Sequence, residues 1–378
     1  MAMARMRDIA ERAGVSRTTV SSILNDKPTN VRVSEETRRR VLQAAAELGY
    51  RRSELARAVN IGRQQAIGFV FEQSLLFNRI GMLTGAMEQA AEAGYYIRLI
   101  PTTIESLRSG MVERITEMRL TGVIAAFIES EIISLLEREM NRYGVPLVVL
   151  ETGSVYTQLS ALSGANSKPV PETTENLVNV TEYGAKEATA YLISLGHRRI
   201  LHIAGIDNSA TRMRNRGFHR ALQEADLTPR LQDTVYSHYA DAAVIEAVRP
   251  ALLQPERPTA LLCANDTIAM SAMRAARRVG LHLPDDLAVI GFGDIPAGGR
   301  LDPALTTVAV PYEEAGRAVI RLLLTIAAEG QFSVSMFQEN RVHSESTEKF
   351  PFLPLIVSPP RLIIRESALP PKMASPDK

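Results

Sequence analysis

The chain has 378 residues, 46% of them hydrophobic, no Trp, a single Cys and a formal net charge of +1. That length accommodates two or three domains with substantial cores. No run of about eighteen apolar residues marks a membrane span, and the start of the chain, basic at Arg5 and Arg7, lacks an apolar signal core, so a cytoplasmic protein is expected.

The first predicted elements are three short helices. Ile9, Ala10 and Ala13 share one face of the first, and Gly14 suits the left-handed residue that ends it. Ser16 is a cap for the second, with Val15 before the cap and Val20 four positions beyond it spaced as a hydrophobic staple. Val20, Ile23 and Leu24 turn the second helix inward. Ser34 caps the third, Glu35 and Glu36 sit at its positive end, Val41, Leu42, Ala45 and Leu48 are its expected inner face, and Gly49 stops it. Two helices joined by a tight capped turn read as a helix-turn-helix for the major groove of DNA. Charge agrees: residues 1–63 carry thirteen Arg or Lys against seven Asp or Glu, a local excess of +6, while the remainder sums to about −5. Such asymmetry is the electrostatic footprint of a nucleic-acid headpiece, the plain alternative being a solvated basic surface.

Beyond Gln65 short apolar runs alternate with amphipathic stretches, the pattern of a parallel α/β sheet. Strands are expected at 67–71, 96–100, 123–127, 147–150, 177–180, 200–204, 260–264 and 287–292, with helices near 79–93, 105–118, 131–142, 184–195, 212–225, 240–253 and 266–279. These form two similar halves. The polar segment 151–176, with Pro169 and Pro171, is expected to be a long loop at the boundary between lobes. Cys263 ends the apolar run Ala260-Leu261-Leu262 and reads as a buried inert thiol, and no zinc-ligand spacing or cofactor motif occurs. Ligands of open α/β sheets bind beyond the carboxyl ends of the strands, which places a ligand in the cleft between two such lobes. Segment 331–360 is longer than expected before a last strand at 361–367. The final residues 368–378 are Pro-rich, without a Leu heptad, and are expected to be a disordered tail with no tetramer-forming coiled coil.

Motifs along almost the whole chain carry a resemblance. In the headpiece they are Asp8-Ile9-Ala10, Ala13-Gly14-Val15-Ser16, Thr19-Val20-Ser21, Leu24-Asn25, Val33-Ser34, Glu36-Thr37-Arg38 and Leu48-Gly49-Tyr50. In the body they are Leu195-Gly196-His197-Arg198-Arg199-Ile200, Arg214 with Gly217-Phe218, Asn265-Asp266, Leu283-Pro284-Asp285-Asp286, Gly291-Phe292 and Leu305-Thr306-Thr307-Val308. In this order they resemble bacterial transcription regulators of the lactose/galactose repressor (LacI/GalR) family. The resemblance implies an all-α helix-turn-helix headpiece at 1–50, a hinge helix or linker at 51–65, and a two-lobed α/β effector-binding domain of the periplasmic-binding-protein type at 66–367. It further implies a homodimer at the nucleoid that reads a palindromic operator, with no membrane partner.

Residue by residue, the resemblance implies that Arg17 and Thr18 open the recognition helix and reach base edges, with Arg17 suited to bidentate contact with guanine. Ser16, Thr19, Ser21 and Asn25 are the implied phosphate partners, and Arg5 joins the DNA-contacting set. Ser22, also in the DNA-contacting set, departs from many relatives, which carry Arg there, so one base contact is expected to be missing and the operator sequence is left open. Residues 53–59 fall at the hinge helix, whose minor-groove Leu is here Val59, and the usual Pro-Asn entry is Arg52-Ser53. A shorter Val is expected to wedge less and kink the duplex less, offset by phosphate contacts from Arg51, Arg52 and Arg57, the alternative being a plain linker.

For the cleft, the implied effector contacts are Phe77, Glu151, Arg214, Tyr239, Asn265 and Asp294. Three departures stand out. The Asp that usually follows Gly-Phe is Gly293, the Asp-Asn pair usual before the helix glycine Gly184 is Val180-Thr181, and Val310 occupies a position where polar residues often help. Each lost charge-assisted hydrogen bond is worth roughly 1.5–3 kcal/mol. An effector that is larger, less hydroxylated or anionic is therefore expected, with Arg214 as charge partner. Two alternatives stay open: a family member that regulates without a small-sugar effector, and a solute-binding protein, which would need a secretion signal and has no use for a basic headpiece. No P-loop, dinucleotide turn or nucleophile elbow supports an enzyme, and His197 and His202 read as structural.

Overall fold

In a computed structural model, the described residues are 4–25, 33–50, 64–72, 80–126, 130–150, 155–158, 177–329, 333–335 and 355–369. The chain divides into two compact units, Met1–Gln64 and Gln65–Lys378.

The first unit holds α1 (Met6–Ala13), α2 (Arg17–Asn25) and α3 (Glu35–Glu47). Gly14 ends α1 at φ +63°, the left-handed conformation that its lack of a Cβ permits. Ser16 Oγ accepts the Thr19 N–H at 3.1 Å and Ser34 Oγ accepts the Thr37 N–H at 3.2 Å, so both expected caps form. Ile9, Ala10, Ala13, Val20, Ile23, Val41, Ala44 and Ala45 make the core, with Val15 packed against it. One expectation is corrected: Leu42 is 49% and Leu48 38% exposed, and α3 turns Val41, Ala44 and Ala45 inward instead. A three-helix core this small is filled by alanines, which leaves no room for two more leucines on that face.

The second unit opens with β1 (Ala66–Glu72), α4 (Ile80–Glu92), β2 (Tyr96–Thr102), α5 (Val112–Glu117), β3 (Gly122–Ala126), α6 (Ser130–Arg142) and β4 (Leu147–Leu150). Next come β5 (Val155–Gln158), β6 (Leu177–Asn179), α7 (Val180–Ser194), β7 (Ile200–Ala204), α8 (Ser209–Glu224), β8 (Thr234–Tyr236) and α9 (Asp241–Leu252). The unit ends with β9 (Ala260–Cys263), α10 (Asp266–Arg278), β10 (Ala288–Phe292), β11 (Thr306–Ala309), α11 (Tyr312–Glu329), β12 (Ser333–Ser335), β13 (Leu355–Ile356) and β14 (Arg361–Ile363). One sheet runs β12-β4-β3-β1-β2, parallel throughout. A second runs β14-β11-β10-β9-β7-β8, parallel except for β14 against β11. A small third sheet joins β13, β5 and β6. Central strands are covered on both faces: Ile67, Phe69 and Phe71 of β1 enter one core cluster, while Ala66 and Val70 enter another.

The chain passes between lobes more than once. β11 of the second sheet leads through Val310-Pro311 directly into α11, which packs on β3 and β4 of the first. A two-residue connection leaving the carboxyl end of β11 requires that this edge of the second sheet face the first lobe. Within the first lobe α11 crosses α4 at backbone contact. A Cβ at Gly85 would overlap the Glu313 carbonyl, and one at Gly316 would overlap Met82 O and lie 2.7 Å from Ala86 N. In the second lobe α7 and α8 repeat the device, with Gly217 against Glu182 O.

Several elements differ from the sequence reading. Within 151–176, expected as loop, Val155–Gln158 forms a strand antiparallel to β6. The strands β8 and β11 and the 18-residue helix α11 are additional, and Val180 begins a helix instead of ending a strand. The last strand stops at Ile363 and is followed by a turn of 3-10 helix, Glu366–Ala368. Ala368, assigned to the tail, is fully buried and its carbonyl accepts the Tyr191 hydroxyl at 2.9 Å.

Candidate functional site

The outer face of α2 is built by its helical period. Val20 and Ile23 point into the core, so positions 17, 18, 21, 22 and 25, spaced by four and seven, share the opposite side. Arg17 and Thr18 are exposed, while Thr19, Ser21 and Ser22 are half-buried beside them. The Ser16, Thr18 and Thr19 hydroxyls gather at the helix start, with Ser16 Oγ 2.6 Å from Thr18 Oγ1 and 2.9 Å from Thr19 Oγ1. Exposed hydroxyls, first-turn N–H groups and a guanidinium at a positive helix end together suit phosphate and base-edge acceptors. Arg5 caps α1, its backbone N–H donating to Asp8 Oδ2 at 2.8 Å, with its side chain exposed. Arg12 is different: it pairs with Glu47 at 3.0 Å and ties α1 to α3. Arg51, Arg52, Arg57 and Val59 lie outside the described residues, as do Phe77 and Glu151, and nothing is described of the Asn25 side chain.

In the second unit the strand ends bring several predicted residues together. Arg214, on α8, is 6% exposed, and its guanidinium lies 4.6 Å from the centroid of the Phe292 ring at the end of β10. Asn265 caps α10, its Oδ1 accepting the Ile268 N–H at 2.8 Å, which leaves its Nδ2 as the donor for a ligand. Tyr239 lies half-buried against the backbone after β7, where a Cβ at Gly205 would stand 2.9 Å from its hydroxyl oxygen. Gly205 thus makes room for that ring.

Asp294 has another occupation. Arg365 holds its carboxylate at 2.7 Å, and the same arginine donates to the Leu305 carbonyl at 2.8 Å, so Asp294 fastens the final segment to the sheet. Nor is Gly293 simply a residue lacking a carboxylate. It has φ +127°, a conformation an Asp would adopt only under strain, and its N–H is engaged by the Val308 carbonyl at 2.8 Å.

The buried carboxylate of this region is Asp266, beside the Asn265 cap. Its oxygens accept Thr307 Oγ1 at 2.5 Å and the Ile295 N–H at 2.7 Å, and Gly291 is needed because a Cβ there would overlap Asp266 Oδ1. Burial, with a smaller contribution from the Asp294 carboxylate, outweighs the two hydrogen bonds and pushes its carboxyl up to about 6. A folded value raised above the usual 3.8 means that the native state binds this proton more tightly. Its contribution is therefore complete below about pH 4 and lost as pH rises through about 6, on the order of 3 kcal/mol in all. Thermal melts across pH 4–8 are expected to show this falling segment, and Asp266→Asn is expected to abolish it whatever its constant effect on stability.

His197 and His202 are each hydrogen-bonded within the fold. His197 Nδ1 lies 3.0 Å from Thr259 Oγ1, and burial lowers its pKa. Burial depresses His202 to about 3, so it does not titrate near neutrality. Burial likewise pushes the Cys263 thiol up, out of the reactive range. Among the described residues no group of three His, Cys, Asp or Glu could hold a metal, and no helix is long and apolar enough to cross a membrane. The Phe292 partner of Arg214 and the Asp266 network carried no local signal, since both are made by contacts across many residues.

Comparison with known proteins bears on both regions. Residues 5–53 match the model of bacterial regulatory proteins of the lacI family, and residues 189–338 match a periplasmic binding protein-like domain. The HTH-type transcriptional repressor PurR of Pectobacterium atrosepticum is 30% identical over 327 residues, covering 85% of this chain and 90% of the relative. The chain belongs to the LacI family. The PurR repressor of Vibrio vulnificus is 29% identical, covering 89% of this chain and 96% of that one. Among solved structures, the lac repressor dimer bound to operator and the anti-inducer ONPF aligns with TM-score 0.71 at 23% identity, covering 97% of this chain and 99% of that one. The CelR–cellobiose complex aligns with TM-score 0.62 at 24% identity, covering 97% and 100%. This LacI-family chain is accordingly a DNA-binding transcriptional regulator whose headpiece is followed in sequence by a two-lobed effector-type domain.

Proposed function

We propose that this LacI-family regulator is a repressor that binds a palindromic operator as a homodimer and whose operator affinity is set by a small molecule held between the lobes; it has no enzymatic role. The observation that carries the reading is the outward face of α2, with Arg17 and Thr18 exposed at a hydroxyl-lined helix start in a segment of local charge +6. Base contacts fall to Arg17 and Thr18 and phosphate contacts to Ser16, Thr19, Ser21 and Asn25, with Arg5 and Ser22 completing the DNA-facing set. Arg51, Arg52, Arg57 and Val59 complete the DNA set at the hinge.

Arg214, Asn265 and Tyr239 are the ligand contacts from the second lobe, and Phe77 and Glu151 those from the segments following β1 and β4. With Gly293 lacking a carboxylate and Asp294 bound by Arg365, the second lobe offers cationic and donor groups, which favours an anionic or sparsely hydroxylated ligand. A ligand that binds one closure state of the lobes better must alter operator affinity by the same factor. A thermal-shift panel of metabolites is expected to register carboxylated or phosphorylated compounds, with the shift lost in Arg214→Ala. Stabilisation by neutral hexoses or pentoses alone would contradict the assignment.

For the dimer, α4 and the edge strand β2 expose Ile80, Met87, Tyr96 and Leu99, each 44–51%, a concentration of apolar surface on one part of the first lobe. Met87→Glu with Leu99→Glu is expected to yield a folded monomer by sedimentation, with operator affinity reduced at least tenfold.

A further inference from the structure

We infer that His202 is a positioning residue for Arg214, acting through Asn215 and Tyr236 to fix the rotation of α8 about its axis. The inference rests on the reading of Arg214 as a ligand contact. α8 lies over β7, and its side chains reach opposite flanks of the sheet. Arg214 extends to Phe292 on β10, while the adjacent Asn215 extends to His202 on β7 and Tyr236 on β8. In the sheet order β10-β9-β7-β8, Phe292 stands two strands from β7 on one side and Tyr236 one strand away on the other.

The polarity of the chain of hydrogen bonds follows from the orientation of the Asn215 amide. Asn215 Nδ2 donates to the Tyr236 hydroxyl at 3.0 Å, so Asn215 Oδ1 faces His202 Nδ1 at 2.6 Å as acceptor. With the amide so oriented His202 Nδ1 carries the proton, and burial, which depresses its pKa to about 3, keeps the ring neutral near neutral pH. The clamp is constant, not switched.

Stability alone does not account for a histidine here. His202 is completely buried, and its Nε2, together with the nearby His219 Nε2 and the Thr234 Oγ1 of the register-paired residue on β8, has no protein hydrogen-bond partner. Each such atom opposes folding, and an apolar side chain at 202 would remove one of them. What an apolar residue cannot supply is a directional donor to Asn215. The close approach of Gly217 to α7 and the Arg216–Glu182 and Lys186–Glu224 pairs hold α8 on its α7 side, so the Asn215 bonds add the hold against roll on the β8 side, and roll would shift the Arg214 guanidinium across the Phe292 face. Holding that roll is the role assigned to His202.

The test reads the arginine directly and requires neither ligand nor DNA, so it fails or succeeds independently of the proposed effector. In full-length protein labelled with ¹⁵N-arginine, the Arg214 Nε–H signal is identified by its loss in Arg214→Lys. Its ring-current displacement is calibrated by Phe292→Leu. His202→Leu and Asn215→Ala are expected to move the signal at least half of the way to its position in Phe292→Leu, and Tyr236→Phe a smaller part of it. His202→Asn, which keeps a donor at the δ position, is expected to restore the parent signal. Melting temperatures within a few degrees of the parent establish that each variant is folded, and Asn215→Ala, at a half-buried position, serves if His202→Leu does not fold. An Arg214 signal unmoved in a folded His202→Leu or Asn215→Ala protein overturns the inference, as does failure of His202→Asn to differ from His202→Leu.

Discussion

Gly85→Ala is expected to destabilise the second unit by about 3 kcal/mol or more, while Gly81→Ala, four residues earlier on the same helix, leaves it unchanged or slightly more stable. The two glycines occupy one face of α4, against the start of α11. A Cβ at Gly81 would meet Glu313 Cγ at 3.5 Å, ordinary contact with a flexible side chain. A Cβ at Gly85 would overlap the Glu313 carbonyl and lie 2.9 Å from its Cα, and backbone offers no rotamer by which to yield. The helices must then separate, and with them the packing of α11 on β3 and β4 that joins the lobes. Losing a helical glycine gains up to about 1 kcal/mol of backbone entropy in either variant, too little to offset the overlap at 85. Calorimetry of the two variants is the check. A loss of melting temperature of roughly 5 °C or more is expected for Gly85→Ala. Equal midpoints would mean that the helices do not cross at backbone contact.

Arg17→Ala is expected to weaken operator binding by roughly 5- to 150-fold per half-site, and to relax preference at one base-pair position, as befits a lost bidentate contact. Arg12→Ala provides the contrast. Both arginines are exposed on the same small module, but Arg12 spends its charge on Glu47 while Arg17 opens the outward face of α2. The Arg12 variant is expected to keep its base preference, since losing the Glu47 pair acts on the headpiece fold and not on base readout. Anisotropy titrations against the selected duplex and its single-base variants, at fixed salt, separate the two. Uniform weakening by Arg17→Ala across all variants would reassign that residue to the phosphate backbone.

How far the sequence carried the fold depended on how local each determinant is. The headpiece was legible because Gly14, Ser16 and Ser34 act within three or four residues of themselves, through caps and a left-handed turn. The central strands were legible as apolar runs, since both faces of each are covered. Leu42 and Leu48 misled because a helix of alanines and leucines has two plausible inner faces, and only the size of the neighbouring helices chooses between them. α11 is not among the expected helices although Val319, Ile320, Leu323 and Ile326 recur at helical spacing, because only Val310-Pro311 separates it from β11 and no capping Ser, Thr, Asp or Asn marks its start. β5 and β8 are short, and β8 is an edge strand with little burial to mark it.

At the candidate ligand site, Arg214, Asn265 and Tyr239 lie near strand ends, and their partners in the fold were not foreseeable. Arg214 meets Phe292 across the sheet, and Asp294 answers to Arg365, separated by 71 residues. An acidic residue following Gly293 looked like a substitute for the missing carboxylate. Its positive φ of 53° and its ion pair give it to the scaffold instead.

Selection of the full-length protein on random duplexes tests the central claim most directly. The account predicts enrichment of palindromes whose half-site centres lie about 10 bp apart, bound by two copies of the chain and lost on Arg17→Ala. Enrichment of no sequence at modest ionic strength, or of single unpaired half-sites bound by one copy, would contradict it.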